Sequence, residues 1–183
     1  MPQLAEGQVI VPGRLSFPKL WEAKAVAGDP NAKPRYGCQI LLPKTDTATH
    51  AKLTAEIDRL AKLHFKGVRP KSKDLFIKDG DGEEGDEITA GHWVISANRA
   101  ESQGRPLVID RNRTPLMPSD NKPYAGCFCN FLIGIYKPKN WTKITASLEV
   151  VQFDKDGTPL GGGGGHANAN VMPDLGDDES DGL

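Results

Sequence analysis

Two strand-like runs near the C-terminal end, residues 126–136 and 142–153, constrain this chain more than any other feature. The second run, TKITASLEVVQF, alternates apolar with polar side chains, which predicts a β-strand with one face in a core. Its apolar set is Ile144, Ala146, Leu148 and Val150. Only the loop KPKN (137–140) separates the two runs, and this is a typical length for a hairpin connection. The sequence therefore predicts a long β-hairpin.

The alternation also predicts that two aromatic side chains lie on the outer face of this hairpin. In the first run the apolar set is Phe131, Ile133 and Ile135, so Tyr136 falls on the opposite face. A four-residue loop would place Tyr136 directly opposite Trp141. Three lysines accompany the pair: Lys137, Lys139 and Lys143.

An exposed aromatic pair among lysines is suited to single-stranded nucleic acid. Stacking on an aromatic ring tolerates any base and contributes about 1–3 kcal/mol per base. Lysines contact phosphates and give a salt-dependent affinity. The alternative is an ordinary cross-strand aromatic pair at the rim of a barrel. The interpretation depends on the loop length, because a slip of one residue would turn one ring inward.

The rest of the chain predicts a small barrel of about six strands with one helix. Strands are expected at 8–17, 35–42, 75–77, 92–99 and 106–110, and a long loop at 18–34. Residues 46–66 alone have strong helical spacing, with Leu53, Ile57, Leu60 and His64 on one face. Thr45 or Asp46 can cap this helix, and Gly67 can end it.

Charge is unevenly distributed along the chain. Residues 1–160 contain 23 basic and 19 acidic residues, whereas residues 161–183 contain no Lys or Arg and five acids. A second acidic cluster occupies 74–87. A basic body with segregated acidic segments is typical of proteins that bind a polyanion, although a solvated surface can show similar blocks.

Other basic and aromatic residues are weaker candidates for DNA contacts. They are Arg35, Tyr36, Arg99, Arg105, Arg111 and Arg113. The basic turn RPKSK (69–73), taken alone, is more typical of plain surface. Trp93 alternates with Ile95 and Ala97, so core packing is at least as good an interpretation as stacking, and Trp21 could pack or bind.

No motif for catalysis, metal binding or cofactor binding is found. Cys127 and Cys129 are more typical of two buried residues than of a zinc site, which prefers a wider spacing. From Asp79, the calcium-loop pattern requires Gly and Glu where Glu84 and Ala90 stand. The histidines have no evident nucleophile partner, and the acids fall in Gly-rich loops rather than in the carboxylate cluster of a nuclease. We therefore expect no enzyme, no metal and no cofactor.

Location is constrained by what the sequence lacks. No apolar run of 18 residues occurs, so no membrane span is expected. Residues 1–13 lack the basic and apolar regions of a secretory signal. Three cysteines, an odd number, fit a reducing cytosol better than a disulfide framework.

Several segments together resemble a family of tailed-phage single-stranded DNA-binding proteins. They are FIKDGD (76–81), GHW with SANR (91–99), RPLVIDR (105–111), YAGC (124–127) and LEVVQFDKDG (148–157). The resemblance covers most of residues 5–158. It implies an oligonucleotide/oligosaccharide-binding (OB) barrel over residues 1–160, acting in phage DNA replication or recombination in the cytoplasm of an infected bacterium. The helix precedes its usual OB position after the third strand.

Residues 161–183 are expected to form a Gly-rich linker and a disordered acidic tail. As a coil this segment would span about 25 Å, from 5–6 Å × √23, which lets its acids reach a basic groove. Similar tails of single-strand binders recruit replication proteins and compete with DNA, and the matching residues here are Asp177, Asp178, Glu179, Asp181 and Leu183. A plain solubilising tail is the alternative.

Three hypotheses remain from the sequence. The first is a sequence-tolerant single-stranded DNA-binding protein, for which duplex DNA stays open as a second ligand because phosphate contacts do not exclude it. The second is a nuclease or other DNA-modifying enzyme. The third is a phage protein-interaction module.

Overall fold

The computed structural model describes residues 3–25 and 28–160, which form seven β-strands and one α-helix. The helix α1 spans Thr47–His64. The strands are β1 (Gln8–Lys24), β2 (Arg35–Pro43), β3 (Ile77–Asp79), β4 (His92–Ala100), β5 (Leu107–Ile109), β6 (Phe128–Tyr136) and β7 (Thr145–Lys155).

Five of these strands close into a barrel. β1 pairs with β2 and β6, β2 pairs with β4, and β6 pairs with β7, all antiparallel. A parallel bridge between Asn98 of β4 and Ser147 of β7 closes the circle. β3 and β5 extend the sheet beside β4 and β7. This mixed five-stranded barrel with one helix confirms the OB-like fold predicted from the sequence.

The inward-facing residues follow the predicted alternation through most of the hairpin. Phe131, Ile133 and Ile135 of β6 are buried, as are Ile144, Ala146 and Leu148 of the second run. The pairing of β6 with β7 then shifts between Leu132 and Ile133, and the extra residue lies in β7. As a result, Val151 and Phe153 face the core and Val150 is only partly buried. The prediction for Val150 was therefore wrong, because a β-bulge changes which residues face inward.

The predicted long loop at 18–34 was wrong in its first part, because β1 continues to Lys24. Two register shifts against β2, between Ser16 and Lys24, bend the strand, and Phe17 takes a positive φ of 47° at the first. Pro18, one of the residues that indicated a loop, lies at the first of these irregularities, whereas the other Pro and Gly residues of 18–34 follow the end of β1.

Helix α1 packs its apolar stripe on the barrel. Leu53, Ile57 and Leu60 are buried, as predicted, whereas His64 is exposed at the last residue of the helix. The side chain of Asp46 accepts a hydrogen bond from the Thr49 amide and caps the start. Gly67, with a φ of 82°, follows the end. In the part of the chain that the structure describes, no helix combines the length and apolar character that crossing a bilayer requires.

Candidate nucleic-acid interface

A groove of about 290 Å³ opens at one end of the barrel. The start of β2, the end of β4, the end of β6 and the start of β7 meet there, together with the loop 137–144. OB barrels bind oligonucleotides on their second and third strands and beside the loop between the fourth and fifth, which in this barrel are β2, β4 and 137–144. The groove brings together five of the predicted contacts: Arg35, Arg99, Tyr136, Trp141 and Lys143.

The two aromatic side chains of the groove are exposed, Tyr136 by 47% and Trp141 by 61%. Both lie outside the core, as the sequence predicted, but they are not opposite each other. Tyr136 pairs with Thr145, so the connection spans 137–144 rather than 137–140. Trp141 lies in this longer loop, where its amide donates to the Pro138 carbonyl over 3.3 Å. The two rings therefore line the groove from different elements, Tyr136 from the end of β6 and Trp141 from the loop.

The charged side chain of Lys143 contacts the ring of Trp141. Its Nζ lies 4.7 Å from the centre of the Trp141 ring, within the range of a cation–π interaction. Lys143 is partly buried and forms no ion pair with another described residue. A cation is thus held over one face of the ring.

Small polar residues line the groove between the aromatic and the basic side chains. Asn98 of β4 and Thr145 of β7 both contribute to its wall. Gly37 lies opposite Asn98, and a Cβ at Gly37 would come within 2.7 Å of the Ala97 carbonyl oxygen. Asn98 and Thr145 were not among the predicted contacts, although the alternating polar positions of β4 and β7 were the available signal for them.

Comparisons with known proteins agree with this geometry. The profile of a family described as Enterobacter phage Enc34, ssDNA-binding protein, matches residues 8–182. The chain belongs to this family. A curated relative, protein p50 of Acyrthosiphon pisum secondary endosymbiont phage 1, is 36% identical over 166 residues, which cover 82% of this chain and 84% of p50.

Solved structures of the Enc34 protein are similar to this family member over most of its length. The single-stranded DNA-binding protein from bacteriophage Enc34 in complex with ssDNA has a TM-score of 0.72 and 29% identity, covering 85% of this chain and 90% of that one. The gp2.5 protein of bacteriophage T7, a single-stranded DNA-binding protein, has a TM-score of 0.56 and 16% identity over 94% of this chain and 98% of that one. The T7 likeness shows a shared fold.

Two arginines of the groove in this Enc34 family member have different surroundings. Arg99 donates from Nε to the Gly104 carbonyl over 3.0 Å and from Nη2 to the Gln103 carbonyl over 3.1 Å. These bonds hold its guanidinium at the groove wall. Arg35 is exposed at the first residue of β2, beside Ala100.

The remaining predicted contacts do not line the groove. Lys137 and Lys139 belong to the loop 137–144, and Lys137 Nζ donates to the Pro138 carbonyl over 3.2 Å. Tyr36 is partly buried in β2, on the same face as the core residue Cys38. Arg105 places its guanidinium 5.6 Å from the centre of the Trp21 ring, which is partly buried.

Arg111 and Arg113 lie far from the groove. Arg111 Nε is 3.5 Å from the carboxylate of Asp154, near the far end of β7. Thr145 stands at the other end, nine residues earlier, which is about 30 Å along a strand. Arg113 follows in the same turn, where its amide donates to the Asp110 carbonyl. Their assignment as DNA contacts stays a prediction that the groove does not require.

Other features singled out in the sequence have structural roles. Cys127 and Cys129 are buried with their Sγ atoms 3.6 Å apart. The hydrogen bond to Cys127 and burial raise the pKa of Cys129, and burial raises that of Cys38, so these two thiols stay protonated. Trp93 is partly buried, and its ring stacks on His50 with centroids 4.4 Å apart.

In the acidic cluster at 74–87, Asp79 and Asp81 both pair with Lys44, over 2.5 and 2.7 Å. Hydrogen bonds from Lys44 lower the pKa of both carboxyl groups. The tail residues Asp177, Asp178, Glu179, Asp181 and Leu183 lie outside the residues that the structure describes.

Proposed function

We propose that this protein binds single-stranded DNA without strong sequence preference, through the groove at the end of the barrel. The observation that carries the proposal is the pair of exposed rings, Tyr136 and Trp141, in one groove with Lys143, Arg35 and Arg99. Membership of the Enc34 family, and the complex of its phage Enc34 member with ssDNA, support the same ligand.

Tolerance of sequence follows from the chemistry of the groove. A ring offers a stacking surface to every base, and basic side chains contact a backbone that all sequences share. The protein would bind exposed strands during phage DNA replication or recombination, in the cytoplasm of an infected bacterium. The acidic segment 161–183 would compete with DNA for the basic groove and recruit replication or recombination proteins when DNA displaces it.

Fluorescence anisotropy of labelled oligodeoxythymidine, titrated with the full chain over a salt series, tests the proposal. We expect tight binding and a linear fall of log K with log salt, at about −0.7 for each phosphate contacted. Mixed-sequence strands should compete about as well as oligodeoxythymidine. Weak binding at low salt, or an affinity that does not respond to salt, would contradict the proposal.

Two further measurements with the same protein test whether duplex DNA is also a ligand and whether the protein is a nuclease. A duplex competitor of equal length measures whether the groove requires unpaired bases, because a duplex offers phosphates but keeps its bases stacked inside. Incubation of the labelled strand with the protein and Mg²⁺ tests for cleavage. Shortened products that depend on the protein would restore the nuclease hypothesis.

A further inference from the structure

A basic surface continues from the groove toward the end of helix α1. A second concavity shares Asn98, Lys143 and Thr145 with the groove and adds Lys73 and Lys78. A third shares Lys73 with the second and adds the turn that follows the helix. The three concavities are therefore neighbours in a row along the surface, from Trp141 past Lys143 to residues 66–73, and we call this row the depression.

The charges along this extension are suited to a phosphate backbone. Its basic side chains are Lys66, Arg69, Lys71, Lys73 and Lys78. Asp74 is its only acidic side chain among the described residues, and its carbonyl is bonded to the amide of Ile144. Asp58 engages Arg69 through two hydrogen bonds, but none of the four lysines is paired with another described acid.

The extension is held in a fixed position relative to the groove. Ile144 donates its amide to the Asp74 carbonyl over 3.0 Å and forms a parallel bridge with Leu75. Ser96 of β4 donates to the Phe76 carbonyl over 2.9 Å. Lys73 and Lys78 thus flank a segment that is bonded both to the barrel and to the loop carrying Trp141 and Lys143.

We infer that a bound DNA strand continues past Lys143 onto the surface formed by Lys71, Lys73 and Lys78. This surface contacts the phosphates of nucleotides beyond those stacked on Tyr136 and Trp141, and it sets the length of strand that one protein molecule occupies. The inference rests on the proposed function, because it extends the same binding site.

The test compares short and long strands with the double variant Lys71→Ala/Lys73→Ala. Single OB folds occupy about 4–16 nucleotides, so oligodeoxythymidines of about 5 and about 16 nucleotides serve as probes. For the long strand we expect weaker binding and a salt slope that is smaller by about 1.4, which corresponds to two lost phosphate contacts. For the short strand, affinity and slope should match those of the unmodified chain.

The matched control is Lys52→Ala/Lys155→Ala, which removes the same charge from exposed lysines outside the depression. It should leave the salt slope on the long strand unchanged. Unaltered long-strand binding by Lys71→Ala/Lys73→Ala would overturn the inference, as would an equal loss on both strand lengths. Failure of the unmodified chain to bind either strand would instead reject the proposed function itself.

Discussion

At the scale of single residues, Trp141 and Lys143 define how a base could enter the groove. The Lys143 ammonium lies 4.7 Å from the centre of the indole ring, so a cation already covers one face of that ring. In the proposed function, a base would therefore stack on the opposite face of Trp141. Tyr136 offers a second ring nearby.

Replacing Trp141 with alanine should weaken single-stranded DNA binding by about 1–3 kcal/mol, because one stacked base is lost. This corresponds to about 5- to 150-fold in the dissociation constant, measured by anisotropy at fixed salt. Trp141→Phe should retain most of the affinity, since a ring remains. Met117 is exposed by 64%, close to the 61% of Trp141, and Met117→Ala outside the groove serves as the control. Equal affinity of Trp141→Ala and the unmodified chain would exclude stacking on this ring.

Gly37→Ala should destabilise the barrel beside the groove. A Cβ at this position would meet the Asn98 side chain and come within 2.7 Å of the Ala97 carbonyl oxygen, so β2 and β4 must separate locally. We expect a loss of about 1–3 kcal/mol in the free energy of unfolding, as for other overpacked sites. Urea denaturation measures it. Gly28→Ala is unsuitable as a control because of its positive φ, whereas Gly82→Ala meets only one atom, the Asp79 carbonyl oxygen at 3.1 Å. A Gly37 variant as stable as the Gly82 variant would contradict the steric argument.

At the scale of elements, alternation and spacing were sufficient to predict the helix and the core-facing residues of the hairpin as far as Leu148. They did not predict the bulge after which Val151 and Phe153, rather than Val150, face the core. Alternation does not reveal where the pairing of two strands stops. Residues 142–144 were therefore wrongly predicted as part of the second strand of the hairpin, which begins at Thr145. The rings were nevertheless expected on the outer side. Tyr136 lies there because strand alternation fixes its face, and Trp141 lies there because it belongs to 139–142, the exposed part of its loop.

The candidate site was only partly predictable for a different reason. Tyr136, Trp141 and Lys143 are close in sequence, so a local pattern could identify them. Arg35 and Arg99 join them only because β2 and β4 pair and the barrel then closes. No local signal separates these two arginines from Arg111, which the same topology carries to the far end of β7.

The cap of helix α1 makes a prediction about stability and pH. Hydrogen bonds from Thr49 lower the pKa of Asp46 in the folded state, so the cap stabilises the fold above the ordinary aspartate pKa. That contribution is lost as the pH falls through the lowered value. Asp46→Ala should reduce the free energy of unfolding by about 0.5–2 kcal/mol at neutral pH, as measured in urea.

The difference between Asp46→Ala and the unmodified chain should shrink as the pH falls below about 4, where an unperturbed aspartate becomes protonated. Asp46→Asn is the matched control, since asparagine caps helices comparably without titrating. A difference that stays constant down to acid pH would show that the cap carboxylate is not the cause.

At the scale of the whole molecule, the segregation of charge predicts a role for residues 161–183. Removing the chain after Leu160 deletes five acids and no Lys or Arg, and it preserves the bond from the Leu160 amide to the Ala125 carbonyl. If these acids compete with DNA, the truncated chain should bind single-stranded DNA more tightly. The gain should be largest at low salt, because screening weakens the competition.

A full-length variant with those five acids replaced by Asn or Gln is the matched control, since it changes charge without changing length. It should reproduce the gain in affinity, as measured by the same anisotropy titration. If truncation raises the affinity and neutralisation does not, the segment acts through bulk rather than charge. Unchanged affinity in both variants would reject competition while leaving DNA binding intact.

The parallel pairing of β4 with β7 also has a consequence for the free protein. These strands meet at the bridge between Asn98 and Ser147, and Asn98 belongs to the groove wall. The contact between β4 and β7, which has a single bridge pair, therefore lies directly beside the proposed ligand. A DNA strand bound by Arg99 of β4 and by Lys143, which precedes β7, would stabilise the pairing of these two β-strands. Amide hydrogen exchange around residues 96–99 and 145–148 should accordingly slow more on DNA binding than exchange in the continuous β1–β6 ladder.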